Sequence, residues 1–354
     1  MIERELGIMT NRELENLEDV NNVTISKDRI LHSANHDEIK QGLTTDVYFI
    51  KTREILNELD LSQTEVVVDI FASREGVAAG IDEAVNLLQD KDVEVWGLEE
   101  GSRMDKKEVI LRIKGVYNEF GIFETSLLGS LASASGWATA AAECKEAADD
   151  IPVLCFGARH LHPAVAPVME RSAIIGGADG ASCILGAKLA GQKPSGTVPH
   201  ALILTVGDTL KVAQAYDEVM PDDAARIIIV DTFKDEAEES LRLADSLKES
   251  LDGIRLDTPS ERGGVTPDLV KEVRARLDQA GHDYVNIFVS GGITPERILN
   301  LKDLGVDGFG VGSYIAGAEA INMTMDIKEV DGKAIAKRGR IPGVAENKRL
   351  KRLL

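Results

Sequence analysis

Hydrophobic and polar positions alternate through much of the first third of the chain. The segments at 93–101 and 108–125 alternate and are broken by glycines, which is typical of half-buried antiparallel strands. Residues 74–90 instead place apolar groups at helical spacing. The segment TTDVYFIKT at 44–52 alternates and contains β-branched residues, so it predicts a strand or a short extended arm. This part of the chain is therefore predicted to be a mixed α+β domain.

The pattern changes at Glu124. Small residues dominate from there, with apolar groups at helical intervals, and we expect a buried helix packed close to its neighbours. After Ile151, short apolar runs alternate with helix-length amphipathic segments, which predicts βα units and a parallel sheet. The runs that fit are VLCFGAR, SAIIGGAD, GTVPHALIL, RIIIVDTF, GIRLDTP, VNIFVSGG and GFGVGSYI.

The chain ends with two alternating runs around Asp331-Gly332, a pair typical of a two-residue hairpin turn. We expect this hairpin to pack back on the amino-terminal domain. Residues 332–354 carry eight Lys or Arg and one Glu, a basic excess that fits a solvated tail better than a polyanion site. The predicted domains are 1–128 together with 322–354, and 129–321.

Composition narrows the class of protein. The chain has 354 residues, 44% of them hydrophobic, enough for the cores of two domains. The formal net charge of −20 argues against a nucleic-acid partner, because phosphate binding needs a surplus of Lys and Arg. We expect neither a membrane span nor an export signal. The 3 cysteines lack metal-ligand or CxxC spacing, which fits a reducing cytoplasm.

Chemistry-bearing residues collect at the carboxyl ends of the apolar runs, where parallel sheets and barrels bind ligands. They are Arg159, Asp179, His200, Asp231, Asp257, Gly291, Gly292, Gly312 and Ser313. The Gly291-Gly292 loop before a helix and the Gly312-Ser313 loop after the last run predict a phosphate site, because glycines let backbone N–H groups approach an anion. Tight turns without a ligand are the alternative explanation.

Six segments, in order, resemble the motifs of the type II phosphoribosyltransferases, and most closely of the nicotinate phosphoribosyltransferases. They are TTDVYF, ETSLLGSLASASGWATAA, FGARH, GTVPHA, GIRLDTPS and GVGS. The resemblance implies a mixed α+β amino-terminal domain on an incomplete, roughly seven-stranded α/β barrel. It also implies a homodimer or higher homo-oligomer that joins nicotinate to 5-phosphoribosyl-1-pyrophosphate, with Mg²⁺ and with coupling to ATP hydrolysis. The products would be nicotinate mononucleotide and pyrophosphate.

The charged candidates match the needs of such a reaction. Arg159 and Arg255 are interpreted as anion clamps, because a guanidinium fork suits phosphate or carboxylate better than an ammonium does. Asp231 and Asp257 offer the hard oxygen ligands suited to Mg²⁺ or to ribose hydroxyls. Structural salt bridges are the alternative for the arginines, and capping of the following helix is the alternative for Asp231.

By resemblance, Phe156 and Tyr48 sandwich the pyridine ring, with Tyr48 reaching from a neighbouring subunit. Asp179 and Ser182 are placed at the polar edge of the base. A free carboxylate would repel nicotinate, so Asp179 is expected to orient Arg159 or to cap the following helix. Ser182 could donate a hydrogen bond to the carboxylate of the substrate.

By resemblance, His200 is the histidine of the Gly-Thr-x-x-His motif, which is phosphorylated by ATP in the family. The resemblance therefore implies a phosphohistidine at this position. The alternative is a neutral histidine that is hydrogen-bonded at the mouth of the barrel. Pro199 and Ala201 flank it where many relatives carry Ala and Ser, and His160 replaces the second arginine of the Phe-Gly-x-Arg-Arg motif.

Other substrates and another class of function remain open at this stage. Quinolinate phosphoribosyltransferases carry Glu-Arg where this chain has Glu124-Thr125, so an expected carboxylate clamp is missing and nicotinate is favoured. Nicotinamide is a weaker rival, since a neutral amide does not require a second positive group. A sensor that binds nucleotides without turnover is the alternative from a different functional class.

Overall fold

The computed structural model describes residues 12–354 of the chain. The first 11 residues of the predicted amino-terminal domain lie outside this part. The strands, in chain order, are β1 Glu65–Ala72, β2 Gly76–Val77, β3 Val93–Gly97, β4 Arg103–Met104, β5 Val109–Val116, β6 Val153–Cys155, β7 Gly180–Ala181, β8 Ile227–Ile229, β9 Gly253–Leu256, β10 Asn286–Val289, β11 Gly308–Val311, β12 Met323–Val330, β13 Lys333–Ala334 and β14 Lys351–Arg352.

The helices of the described residues are mostly short, and α6 is much longer than the rest. They are α1 Leu17–Asn22, α2 His36–Lys40, α3 Val47–Glu58, α4 Ile81–Leu88, α5 Tyr117–Phe120, α6 Glu124–Ala148, α7 Ala166–Ile175, α8 Ile184–Leu189, α9 His200–Val206, α10 Thr209–Val219, α11 Glu236–Leu247, α12 Pro267–Gln279, α13 Pro295–Leu301 and α14 Ser313–Ala316. The chain divides into two compact units, and both boundaries lie close to small residues. The first unit ends at Gly136 and resumes at Glu319, and the second is Trp137–Ala318.

The first unit is built on a six-stranded antiparallel sheet with the order β13-β12-β1-β5-β3-β14. Alternate residues of β1, such as Val68 and Ile70, are fully buried in its core. The predicted hairpin is confirmed: Asp331 and Gly332 both have positive φ, at 46° and 72°, as a two-residue turn between twisted strands requires. Its first strand, β12, pairs with β1, which confirms the predicted return to the amino-terminal domain.

The second unit is a six-stranded parallel sheet with the order β7-β6-β11-β10-β9-β8, curled into a half-barrel. In β9 and β10, Ile254 and Ile287 are fully buried under the helices, whereas the inward-facing Arg255 and Phe288 are partly exposed. This architecture confirms the predicted incomplete α/β barrel with a mixed amino-terminal domain. The sheet has six strands rather than roughly seven.

Three aspartates hold the amino edge of this sheet. Each immediately precedes its own strand, and its carboxylate accepts a hydrogen bond from a backbone N–H at the start of the neighbouring strand. The pairs are Asp179 with Val153 at 2.8 Å, Asp252 with Arg226 at 2.6 Å, and Asp307 with Ile287 at 2.8 Å. These contacts join β7 to β6, β9 to β8, and β11 to β10.

Three predicted strands are wrong, and a fourth, at 108–125, is a strand only as far as Val116, since α5 begins at Tyr117 and α6 at Glu124. The segment at 44–52 enters helix α3, in which the adjacent Phe49 and Ile50 are both buried. The run at 196–204 enters helix α9, with Ile203 buried and Leu202 exposed. The run at 172–179 contains the end of α7, and the two-residue strand β7 begins only at Gly180. Each run is so short that its apolar pattern fits either period.

Candidate active site

A cavity of about 390 Å³ opens at the carboxyl ends of β6, β9, β10 and β11. Ligands bind at this edge in parallel sheets because the strand ends and their loops meet there. The residues that line it are Phe156, Ala158, Arg159, His160, Ser182, Gly196, Thr197, Val198, Pro199, Arg255, Asp257, Ser290, Gly291, Gly292, Gly310, Gly312 and Ser313. The structure therefore brings nine of the predicted site residues into one cavity.

The loop after β10 combines two glycines in the left-handed region with an arginine that holds their carbonyl oxygens. Gly291 and Gly292 have φ values of 87° and 64°, which favour glycine. The guanidinium of Arg297 donates hydrogen bonds to the carbonyl oxygens of Gly291 at 2.6 Å and Gly292 at 3.0 Å. It also donates to the carbonyl oxygen of Val265 at 2.8 Å. Because C=O and N–H point in opposite directions in a trans peptide, the N–H groups that follow these carbonyls face away from Arg297.

Sequence analysis missed Arg297. It lies in the segment ITPERILN, after the glycine pair. The sequence predicted a helix there but no role for its arginine. An arginine one turn into a helix that follows two glycines was the available signal, since its fork can reach back to carbonyls of the loop.

The wall formed by β11 requires glycine for a different reason. A Cβ at Gly310 would lie 2.6 Å from ring carbons of Phe156, and a Cβ at Gly312 would lie 3.1 Å from Nε2 of His160. The Phe156 ring therefore lies directly against the β11 backbone. The close approach of His160 to Gly312 places an imidazole at the second glycine loop. The Phe-Gly-x-Arg-Arg motif has an arginine at the position of His160.

Arg255 lies on the inner face of β9 with its Nε buried, and no hydrogen-bond partner for that atom exists among residues 12–354. Burial lowers the pKa of its guanidinium, and the nearby carboxylates of Asp257 and Asp231 partly offset that effect. Arg159 lies in a short 3-10 turn after β6 and is exposed at the cavity. The two guanidinium groups are close enough for Arg159 to lower the pKa of Arg255 further.

Two carboxylates and a histidine meet beside this cavity. The side chain of Asp231 is only 1% exposed, and its Oδ2 accepts a hydrogen bond from the backbone N–H of Asp257 at 2.8 Å. Nε2 of His200 lies 3.6 Å from Asp231 Oδ1 and 3.8 Å from Asp257 Oδ2. Nδ1 of His200 lies 3.0 Å from the Thr232 hydroxyl. Burial raises the pKa of Asp231, against the lowering effect of the Asp257 N–H and of His200.

Asp231 does not cap the following helix, since Asp235 takes that position in α11. Its Oδ1 is buried without a hydrogen-bond partner in the described part of the chain. Together with Asp257 it supplies the hard oxygens that Mg²⁺ prefers. No group of three or more His, Cys, Asp or Glu within residues 12–354 is arranged to hold a metal. A Mg²⁺ ion held by this pair would therefore take its remaining ligands from water or substrate.

Two predicted residues lie elsewhere. The carboxylate of Asp179 contacts Nζ of Lys145 at 3.0 Å and the N–H of Val153 at the amino end of β6. The prediction that Asp179 orients Arg159 or caps the next helix is wrong, because its carboxylate is used there and Cys183 holds the cap position of α8. Tyr48 lies in α3 of the first unit and is 55% exposed, and its stacking role stays a prediction.

Ser182 lines the cavity, and its hydroxyl donates to a carboxylate oxygen of Glu170 at 3.1 Å, so its predicted hydrogen bond to the substrate stays a prediction. Glu170, in α7, is fully buried and was missed by the sequence analysis. No motif marked it, since a glutamate in an amphipathic helix is usually a surface residue.

A half-barrel with two glycine loops, two guanidinium groups and two carboxylates at one edge has the groups that an anionic, phosphate-bearing substrate would need. The family model for the quinolinate phosphoribosyl transferase amino-terminal domain matches residues 46–135, and that for the carboxyl-terminal domain matches residues 137–326. The second match alone covers more than half of the chain. The chain belongs to this family of type II phosphoribosyltransferases.

Curated relatives carry a narrower name. A nicotinate phosphoribosyltransferase of Mycobacterium tuberculosis is 31% identical over 254 residues, which cover 69% of this chain and 53% of the relative. The nicotinate phosphoribosyltransferase of Bacillus subtilis is 26% identical over 317 residues, covering 78% of this chain and 64% of the relative. The chain thus spans about half the length of the first of these proteins and under two thirds of the second.

Solved structures share the fold. The crystal structure of a nicotinate-nucleotide pyrophosphorylase from Pyrococcus furiosus is 46% identical, with a TM-score of 0.86 over 89% of this chain and 82% of that one. Human nicotinic acid phosphoribosyltransferase is 19% identical, with a TM-score of 0.67 over 85% of this chain and 77% of that one, and shows the same fold. Within residues 12–354, no helix has the length and apolar character needed to cross a membrane.

Proposed function

We propose that this protein is a nicotinate phosphoribosyltransferase. It would join nicotinate to 5-phosphoribosyl-1-pyrophosphate and give nicotinate mononucleotide and pyrophosphate. The observation that carries the proposal is the single cavity that combines two glycine loops, Arg159 and Arg255, and the carboxylate of Asp257. The substrates are two anions of different size, and the two guanidinium groups of the cavity are suited to hold them.

In this reaction the pyridine nitrogen attacks the anomeric carbon, and the C–O bond to pyrophosphate breaks with its electron pair on the leaving oxygen. The ribose develops positive charge as the bond lengthens, so a nearby carboxylate stabilises the transition state. Asp257 is the candidate for that role and for contact with ribose hydroxyls. Arg255 would hold the leaving group, and the N–H groups after Gly291 would hold a phosphate. Positioning supplies most of the remaining rate.

Mg²⁺ is the metal proposed for this site, with Asp231 and Asp257 as its protein ligands. When bound, it would screen the charge of the departing pyrophosphate. The buried Oδ1 of Asp231, without a hydrogen-bond partner among the described residues, supports the assignment.

Nicotinate is preferred to quinolinate for two reasons. Curated relatives carry that name, and Thr125 stands where quinolinate enzymes have an arginine. The hydroxyl of Thr125 is engaged with the carboxylate of Asp46 at 3.2 Å, within the first unit. Quinolinate and nicotinamide remain the alternative bases.

ATP coupling is proposed through His200. Its Nδ1 is next to the Thr232 hydroxyl, so Nε2 is the nitrogen available for phosphorylation. A phosphoryl group there would lie beside Asp231 and Asp257, and repulsion would favour its transfer or hydrolysis. The predicted homo-oligomer, with Tyr48 reaching a neighbour's site, and the cytoplasmic location belong to the same proposal.

The test is mononucleotide formation from phosphoribosyl pyrophosphate and Mg²⁺ with nicotinate, quinolinate or nicotinamide, each with and without ATP. Product from nicotinate alone among the three bases supports the proposal. Stimulation by ATP that disappears in His200→Ala supports the phosphohistidine. Product from another base overturns the substrate, and tight binding of phosphoribosyl pyrophosphate without any product favours the sensor.

A further inference from the structure

Glu170 is a fully buried carboxylate that the proposed chemistry does not use. It lies in α7 and is 0% exposed. Its Oε1 accepts hydrogen bonds from the backbone N–H of Ala158 and from the Ser182 hydroxyl, both at 3.1 Å, and its Oε2 accepts one from the N–H of Cys183 at 2.5 Å. These three donors are neutral. Burial of a charge among neutral groups is costly, and three donors aimed at it offset that cost.

The donors belong to two different loops of the candidate site. Ala158 directly precedes Arg159 in the turn after β6, and it lines the cavity itself. Ser182 and Cys183 follow β7, and Ser182 also lines the cavity. One side chain therefore ties the two neighbouring loops to the same helix.

The packing around Glu170 leaves it little freedom. A Cβ at Gly186 would lie 3.0 Å from Cβ of Glu170 and 3.1 Å from the carbonyl oxygen of Pro167. Helix α8 thus lies directly against α7 at the position of Glu170. A carboxylate held in this way fixes both loops before any ligand binds.

We propose that Glu170 is a positioning residue of the candidate site. Its carboxylate holds the β6 and β7 loops so that Arg159 and Ser182 are already placed for the anionic group of a substrate. This inference rests on the proposed function, because it assumes that Arg159 binds a substrate anion.

The first experiment compares Glu170→Gln with Arg159→Ala in the full chain. The amide keeps the size of the side chain but replaces an acceptor with a donor that faces other donors. The substrate whose KM rises in Arg159→Ala is the one that Arg159 holds. Glu170→Gln is expected to raise the same KM by about tenfold, the effect of losing about 1.4 kcal/mol of hydrogen bonding, with kcat changed much less.

Glu239→Gln is the matched control. Glu239 is a buried glutamate of α11 that pairs with Arg242 at 3.1 Å and does not line the cavity. It is expected to lower Tm and to leave both KM values unchanged. The double variant of Glu170→Gln and Arg159→Ala should cost less than the sum of the two single changes, since both act on one contact.

Two outcomes would overturn the inference. One is a Glu170→Gln protein with lowered Tm and with both KM values within twofold of wild type. The other is strict additivity with Arg159→Ala. If Glu170→Gln does not fold, Glu170→Asp keeps the charge on a shorter side chain, and the same rise in KM is expected from it.

Failure of the proposed function would look different. If no base is turned over by the wild type, dissociation constants for phosphoribosyl pyrophosphate and for nicotinate, measured by calorimetry, replace KM in the same comparison. Weaker binding in both Arg159→Ala and Glu170→Gln would then uphold the positioning role without the activity. Weaker binding in Arg159→Ala alone would overturn the positioning role of Glu170.

Discussion

Each unit of this protein buries an aspartate in or beside its sheet, and the two aspartates are treated in opposite ways. Asp69, in β1, has a side chain that is 2% exposed, and both of its oxygens accept hydrogen bonds from Arg112, at 2.6 Å and 3.0 Å. Asp231, after β8, is 1% exposed, yet its Oδ1 has no hydrogen-bond partner among residues 12–354. Two carboxylates that are equally buried therefore differ in how many of their oxygens have hydrogen-bond partners.

The arginines repeat the contrast. Arg112 also donates to the carbonyl oxygen of Ala345, so its guanidinium joins the sheet to the carboxyl-terminal segment. Arg255 leaves its buried Nε without a partner in the described structure. A polar group left open inside a protein is costly unless a ligand completes it. The difference teaches that the buried ion pair of the first unit serves its stability, whereas Asp231 and Arg255 of the second unit each keep a buried polar atom that a bound ligand would complete.

The largest effect is expected from Asp231→Asn. Loss of this proposed Mg²⁺ ligand should lower kcat/KM by about 1,000-fold, in the range of other electrostatic deletions. The free energy of unfolding should not fall, because burial raises the pKa of Asp231 and so disfavours its charged form in the folded protein. Steady-state kinetics and urea unfolding measure the two quantities. A lowered free energy of unfolding with an unchanged kcat/KM would contradict the contrast between Asp231 and Asp69.

Arg112→Ala should show the reverse behaviour. The variant leaves the buried Asp69 carboxylate uncompensated and should lower the free energy of unfolding by about 3 kcal/mol. Both KM values of the folded protein should stay unchanged. Urea unfolding at fixed pH gives the first quantity. A clear rise in KM would show that this ion pair also serves the site.

A smaller effect is expected from Arg297→Ala. The carbonyl oxygens of Gly291 and Gly292 would lose their donor, and the loop would no longer be held in its anion-binding form. The KM for phosphoribosyl pyrophosphate should rise by about tenfold, equivalent to 1.4 kcal/mol. Arg276→Ala is the control. Arg276 lies in helix α12, and its side chain forms an exposed ion pair with Glu272 of the same helix. An unchanged KM in Arg297→Ala would mean that the glycines alone fix the loop.

The last prediction concerns Glu124, a partly buried carboxyl group of the first unit that has no arginine partner like that of Asp69 among the hydrogen bonds described above. Burial raises its pKa from 4.5 to about 7, partly offset by Lys337 and reinforced by Asp326. Between these pH values the folded state holds more protons than the unfolded state, so stability should fall as pH rises from 4.5 to 7. Glu124→Gln should flatten this part of the Tm profile. The same slope in the variant would assign it to other groups.

The sequence predicted the fold correctly where the period of the apolar positions and the length of the segment indicate the same kind of element. The parallel βα pattern, the antiparallel strands β3 and β5 and the Asp331-Gly332 hairpin are present, although the strand predicted at 108–125 ends at Val116. It failed for the segments at 44–52 and 196–204, which are helices α3 and α9. A run of about nine residues fits both periods, and only tertiary packing decides between them.

The candidate site was predictable where chemistry follows a strand end. Phe156, Arg159, Arg255 and Asp257 line one cavity because parallel strands bring their carboxyl ends together. Asp179 shows the limit of that rule. Its strand is only two residues long, and the side chain belongs to the opposite edge of the sheet.

The supporting residues were harder to predict. Arg297 left one signal, its place one turn into the helix after two glycines. Glu170 left none, because it acts on backbone groups of neighbouring loops and such contacts leave no spacing pattern in one sequence.

The carboxylates of the three amino-edge aspartates each add a contact within one strand pair, called a cassette here: β7 with β6, β11 with β10, and β9 with β8. The backbone ladder continues from one cassette to the next. The seams between cassettes then run between β6 and β11 and between β10 and β9, and the loops at the other ends of these four strands surround the cavity. A ligand held by those loops would clamp both seams together. Amide hydrogen exchange along the seams should therefore slow on ligand binding, whereas exchange inside each cassette should change little.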